Sequence, residues 1–147
     1  MSHLRIAAGI LLAPVVYIVV WSYPFIEHSA FHKWIVINTF FAYVWFLVFA
    51  AVSHVALKAL DWTRIWQYSG VMLIVASIIG FAYSIYSLDG YESLFHSQTQ
   101  VVQDGAITKS GYLLYAKDAF INGVVSAGAM AVFWIVSFYG TEKIVVD

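Results

Sequence analysis

The chain contains no cysteine. Disulfides, thiolate metal sites and cysteine nucleophiles are therefore excluded. Charge is also scarce. Charged residues make up 10% of the 147 positions, against about 25% in ordinary soluble domains. Seven basic and eight acidic side chains nearly cancel, so there is no electrostatic footprint for nucleic acid. No Gly-x-Ser-x-Gly elbow, phosphate-binding glycine loop or nucleophile–base arrangement occurs, which argues against an autonomous hydrolase or kinase. No residue pattern requires a cofactor. Internal repeats and low-complexity segments are missing too.

What the chain has is apolar surface. It is 63% hydrophobic and 18% aromatic, with a mean hydropathy of +0.84. A soluble fold of this size cannot hide so much, because small proteins expose a large share of their surface. The lipid bilayer is the expected surrounding, and an all-α integral membrane protein the expected fold class. Many of the aromatic rings should sit at the two water interfaces, where amphipathic rings are favoured.

A spanning helix needs roughly 20 predominantly apolar residues. Four stretches qualify, at about 4–21, 34–57, 65–88 and 112–139, together forming a single four-helix transmembrane domain. Pro14 should kink the first. A basic start before an apolar run also fits a signal peptide, but no small-residue cleavage site follows, which favours a retained helix. The connector at 58–64 is short and basic. The stretch at 89–111 is the only long polar one, and Asp104-Gly105 within it is a two-residue hairpin signal. A small loop or β-hairpin, an outer lid, is expected there.

Lys and Arg favour the cytoplasmic side. Arg5, Lys58, Arg64 and Lys143 fall on one side; Lys33, Lys109 and Lys117 fall on the other, diluted by Glu27, Asp89, Glu92 and Asp104. This predicts cytoplasmic termini and an extracytoplasmic lid, in a plasma membrane of the bacterial inner-membrane type. In lipid, small residues let helix backbones approach and gain dispersion contacts. Ala76, Gly80 and Ser84 on the third span, and Gly123, Ala127 and Ala131 on the fourth, recur every four positions. These two faces are the expected packing surfaces, either for each other or for a partner subunit.

Three groups of residues are candidates for chemistry. His28 and His32 are four apart, a usable metal-ligand spacing if both lie on one helical turn opened by Pro24. His96, with Glu92 four residues before it, lies on the same side. His54 stands alone, roughly 33 Å from His32 along a helix. No histidine is available at its depth, which argues against a bis-histidine haem held by this chain alone. Lys117, Asp118 and Asn122 head the fourth span. The apolar body from Ala119 to Tyr139 is long enough to cross the bilayer by itself, so these groups mark its outer boundary. With Asn38 they outline a polar vestibule below the lid.

The pattern fits a non-catalytic structural or accessory subunit, packed against other membrane subunits or against itself. Two other readings are a small oligomeric transporter or channel entered at Asn38, Lys117, Asp118 and Asn122, and a metal-binding or redox component using His28, His32 and His96.

Overall fold

The computed structural model of the chain describes residues 3–96 and 98–139. It is mostly helical. The elements are α1 (His3–Leu12), α2 (Val15–Ser22), a 3-10 turn at Tyr23–Phe25, α3 (Phe31–Ala59), α4 (Ile65–Tyr86), a sheet of β1 (Leu94–His96), β2 (Thr99–Gln103) and β3 (Ala106–Ile107), and α5 (Lys109–Phe138). Four stretches are long and apolar enough to cross a membrane: His3–Phe25, Phe31–Ala59, Ile65–Tyr86 and Lys109–Phe138. The expected spans are therefore present, with α3 and α5 each starting three residues earlier than predicted. Lys143 and the rest of the polar tail lie outside the described residues.

The chain divides into two compact units, one running to Met72 and resuming at Val125, the other covering Leu73–Val124. In the first unit, α3 turns Ala42, Phe46, Ala50, Ser53 and Leu57 inward. That spacing of three and four is one face of a helix. Its opposite face leaves Val36, Phe40, Val44, Val48, Val52 and Val55 exposed, as contact with lipid tails requires and water does not tolerate. The inward face packs with Ala13, Tyr17, Tyr68, Met72, Ala129, Met130, Phe133 and Trp134.

One end of this unit, where α3 turns into α4 and where α1 begins and α5 ends, is tied at several points. α3 stops where Asp61 takes a left-handed conformation (φ 55°). The N–H of Trp62 then donates to the Leu57 carbonyl and that of Asp61 to Lys58, the two bonds of a Schellman cap. Trp134 donates its indole N–H to the Thr63 carbonyl and so fixes the α3–α4 connector to α5. At α1, Arg5 Nη2 donates to the Tyr139 carbonyl at 2.6 Å, beyond the end of α5, where a cation also complements the helix dipole. Gly9 lies directly against Ser137 and Phe133; a Cβ there would meet the Ser137 hydroxyl first, then the Phe133 ring at 3.0 Å and its carbonyl at 3.1 Å.

The second unit is built on glycine approaches. A Cβ on Gly123 would run into Ser77 and stand 2.7 Å from the Leu73 carbonyl, while Gly80 faces Ala119 at 3.8 Å. Backbones this close gain dispersion contacts that larger residues would prevent. Ser84 turns its hydroxyl back to the Gly80 carbonyl at 2.9 Å, satisfying it within its own helix. Ala127 and Ala131 belong to the first unit, as does Gly128, which faces Val16 at 3.8 Å.

The lid is an ordered sheet. Its strand order is β1-β2-β3, antiparallel throughout, with Val102 paired to both Leu94 and Ile107. Asp104 and Gly105 both have positive φ, 51° and 74°, the requirement of the tight hairpin turn that their sequence signalled. Val101 and Val102 are fully buried, packed with Leu88, Leu94, Ile107, Leu114 and Tyr115.

Candidate functional site

The lid meets α5 at Thr108. The β1–β2 register shifts between Leu94 and Phe95, so Val101 is an extra residue in β2. Such a bulge re-aims the strand and leaves its extra residue unpaired in the ladder. On its other side β2 continues its pairing with β3: the Val101 carbonyl accepts the Thr108 N–H at 2.9 Å, the rung after Val102–Ile107. The Thr108 hydroxyl donates to the Gln100 carbonyl at 2.7 Å and accepts the Gly111 N–H at 3.0 Å. The second of these is an N-cap bond, satisfying one donor that the start of α5 leaves free. Gly111 is required for the same approach: a Cβ there would stand 2.6 Å from the Val101 carbonyl oxygen and 3.0 Å from its Cα. One threonine and one glycine thus dock the sheet onto the first turn of α5.

α5 has 30 residues and α4 has 22. At 1.5 Å per residue these are about 45 and 33 Å long, against a hydrocarbon core of about 30 Å. The surplus of α5 carries the sheet, because Gly111, Leu114 and Tyr115 contact it. Lys117, Asp118 and Asn122 follow directly below. Lys117 is exposed, while Asp118 and Asn122 are half-buried. Asn38 lies in the other unit, on α3, where its amide donates to the Ser22 hydroxyl at 3.4 Å. Beside it, the Thr39 hydroxyl donates to the Ile35 carbonyl at 2.6 Å.

The histidines are placed by three different elements. Pro24 opens only the short Tyr23–Phe25 turn, and α3 begins at Phe31. His28 therefore sits in the intervening turn, where its Nδ1 accepts the Ala30 N–H at 3.2 Å. His32 is in the first turn of α3, over an open groove it shares with Lys33, Val36 and Ile37. His96 is the last residue of β1 and lies against Tyr115, ring centroids 5.8 Å apart. Glu92 is in an irregular stretch before β1, its carbonyl accepting the Gly105 N–H. Among the described residues, no three His, Asp or Glu side chains form a group able to hold a metal ion.

His54 has a partner that sequence reasoning missed. Its Nδ1 lies 3.0 Å from the Tyr68 hydroxyl on α4, and the pair is walled by Phe133 and Phe138. His54 and Tyr68 are each a short distance from the same connector, on antiparallel neighbours, and so sit at one level. Thr108 was missed as well, because the apolar run begins only at Tyr112 and the threonine does not stand next to it in the sequence.

Comparison with protein-family models, curated proteins and solved structures finds no match to this chain. Residues and geometry carry the assignment of class: the protein is a four-helix integral membrane protein with a small three-stranded sheet between α4 and α5.

Proposed function

We propose that the protein is a structural or accessory subunit of a larger membrane assembly, presenting its lid outside the membrane. The observation that carries this reading is how the polar side chains within the spans are used. Asn38 binds Ser22, Tyr43 binds the Leu11 carbonyl, His54 binds Tyr68 and Trp134 binds the Thr63 carbonyl. Each bond joins one helix to another segment of the first unit. This is polar chemistry used as glue between helices. The lid has the same character, a preformed sheet pinned at Thr108 and Gly111. The distribution of Lys and Arg supports cytoplasmic termini and a bacterial-type inner membrane.

The test is purification from native membranes in mild detergent after light crosslinking. A second membrane polypeptide should copurify in fixed ratio and be lost when the lid is dislodged by Gly111→Val. A monodisperse species that carries flux or redox activity with no companion would overturn the reading.

Transport is the second reading. It draws on Asp118, a carboxylate half-buried at the outer boundary of a spanning helix and one turn from Asn122, where a polar pocket could serve as the entrance to a pathway. Asp118→Asn should then change solute or ion flux in liposomes.

A further inference from the structure

The first span is broken in the middle. α1 ends at Leu12 and α2 begins at Val15, with Ala13 and Pro14 fully buried between them. Pro14 has no N–H, so the Ile10 carbonyl loses its helical partner. Backbone bonds at the break include Ala13 N–H to Gly9, Val16 N–H to Ala13 and Ile18 N–H to Pro14. A side chain from another helix adds to them at the Leu11 carbonyl. That oxygen accepts the hydroxyl of Tyr43, reaching across from α3 at 2.7 Å. Within hydrocarbon no water is available to take the place of this donor, and an unsatisfied carbonyl is costly.

We propose that Pro14 and Tyr43 form a latched hinge. Pro14 creates the bend; the Tyr43 hydroxyl holds it at one angle. When that bond opens, α1 pivots about Ala13–Pro14 while α2 stays docked to α3 through Ser22 and Asn38. The moving limb carries Arg5, whose guanidinium binds the Tyr139 carbonyl, and Gly9, which seats on Ser137 and Phe133. A single hydroxyl bond inside the membrane is thereby coupled to the hold on the far end of α5.

The absence of cysteine makes the test clean, because two introduced cysteines are the only sites a spin label can take. Leu4 and Val19 are exposed, one on each limb, at 79% and 59%. Along a helix they are about 22 Å apart, within reach of pulsed dipolar measurement on Leu4→Cys, Val19→Cys protein in lipid nanodiscs. Tyr43→Phe keeps the ring and removes the hydroxyl. It should broaden the inter-label distance distribution and raise hydrogen exchange at Leu12–Val16 roughly threefold, the factor equivalent to a typical interhelical bond of about 0.6 kcal/mol. In a Pro14→Ala background the helix recovers its own N–H, and Tyr43→Phe should have no effect on the distribution. An unchanged distribution and unchanged exchange with Pro14 present would overturn the latch. So would equal broadening in both backgrounds, which would mean general loosening. If Pro14→Ala does not fold, exchange in the single variant still decides: a rise confined to Leu12–Val16 supports the hinge, and a rise spread along α3 overturns it.

Discussion

The two units of this protein share one kind of contact, a glycine set close against a neighbour, at Gly9 in the first and at Gly111 and Gly123 in the second, and differ in what chiefly holds the rest. The first joins its helices with side chains that reach across: a tyrosine to a carbonyl, an indole to a carbonyl, a histidine to a phenol. The second joins its elements by leaving side chains out, at Gly123 and Gly111, so that backbones touch. The difference predicts two kinds of fragility. A reaching bond can be lost one at a time at modest cost, since interhelical hydrogen bonds in membranes average about 0.6 kcal/mol. A backbone contact has no such gradation, because the atom in the way cannot rotate aside.

The sharpest break should come at Gly111. Gly111→Val puts carbon against the Val101 backbone, and overpacking of this kind costs about 1–3 kcal/mol or more. The sheet should detach, read as protease sensitivity between Leu94 and Ile107 with the first unit still folded. Gly123→Leu should follow, costing about 1–3 kcal/mol against the Leu73 carbonyl, read as a lowered unfolding midpoint in detergent. Thr108→Val removes the cap of α5 and its tie to Gln100; loss of an N-cap costs about 0.5–2 kcal/mol, and exchange should rise first at Lys109–Tyr112. In the first unit, Tyr68→Phe should cost only about 0.6 kcal/mol, and the His54 ring resonances should report the lost phenol. If Tyr68→Phe proved as damaging as Gly111→Val, the contrast between the units would fail. Smallest of all is Asp61→Gly. Glycine adopts the left-handed cap without strain, so stability should hold or rise slightly.

Much of the fold was legible because lipid imposes simple rules. Span length and the apolar runs located all four helices, and Asp104-Gly105 announced its turn through the φ values it permits. Helix ends were less legible. α5 begins at Lys109 because Thr108 caps it and the sheet supports its first turns, whereas hydropathy alone begins only at Tyr112. The site was harder still. Tyr43 meets Leu11 across two helices, and no pattern in one sequence states which neighbour a side chain will reach. The Val101 bulge depends on a register that pairs Leu94 with Val102 and Phe95 with Gln100, a choice set by burial of the strand rather than by its residues' preferences. Pro24 shows the reverse case, a turn signal that opens only Tyr23–Phe25, so that His28 falls in the turn before α3 and His32 within its first turn.

Among the described residues the lid's strands pair with one another, Leu94 with Val102 and Val102 with Ile107. This has a consequence for biosynthesis. A segment whose partners are all close in sequence can close without waiting for the rest of the chain. Hairpins form in about 1–10 μs, while a ribosome adds only about 5–20 residues per second. Closure of the strands is therefore far faster than chain elongation, and it does not depend on any distant part of the chain. Thr108, bonded to Gln100, then presents its hydroxyl to the first turn of α5. That helix starts against an ordered surface rather than from a free end.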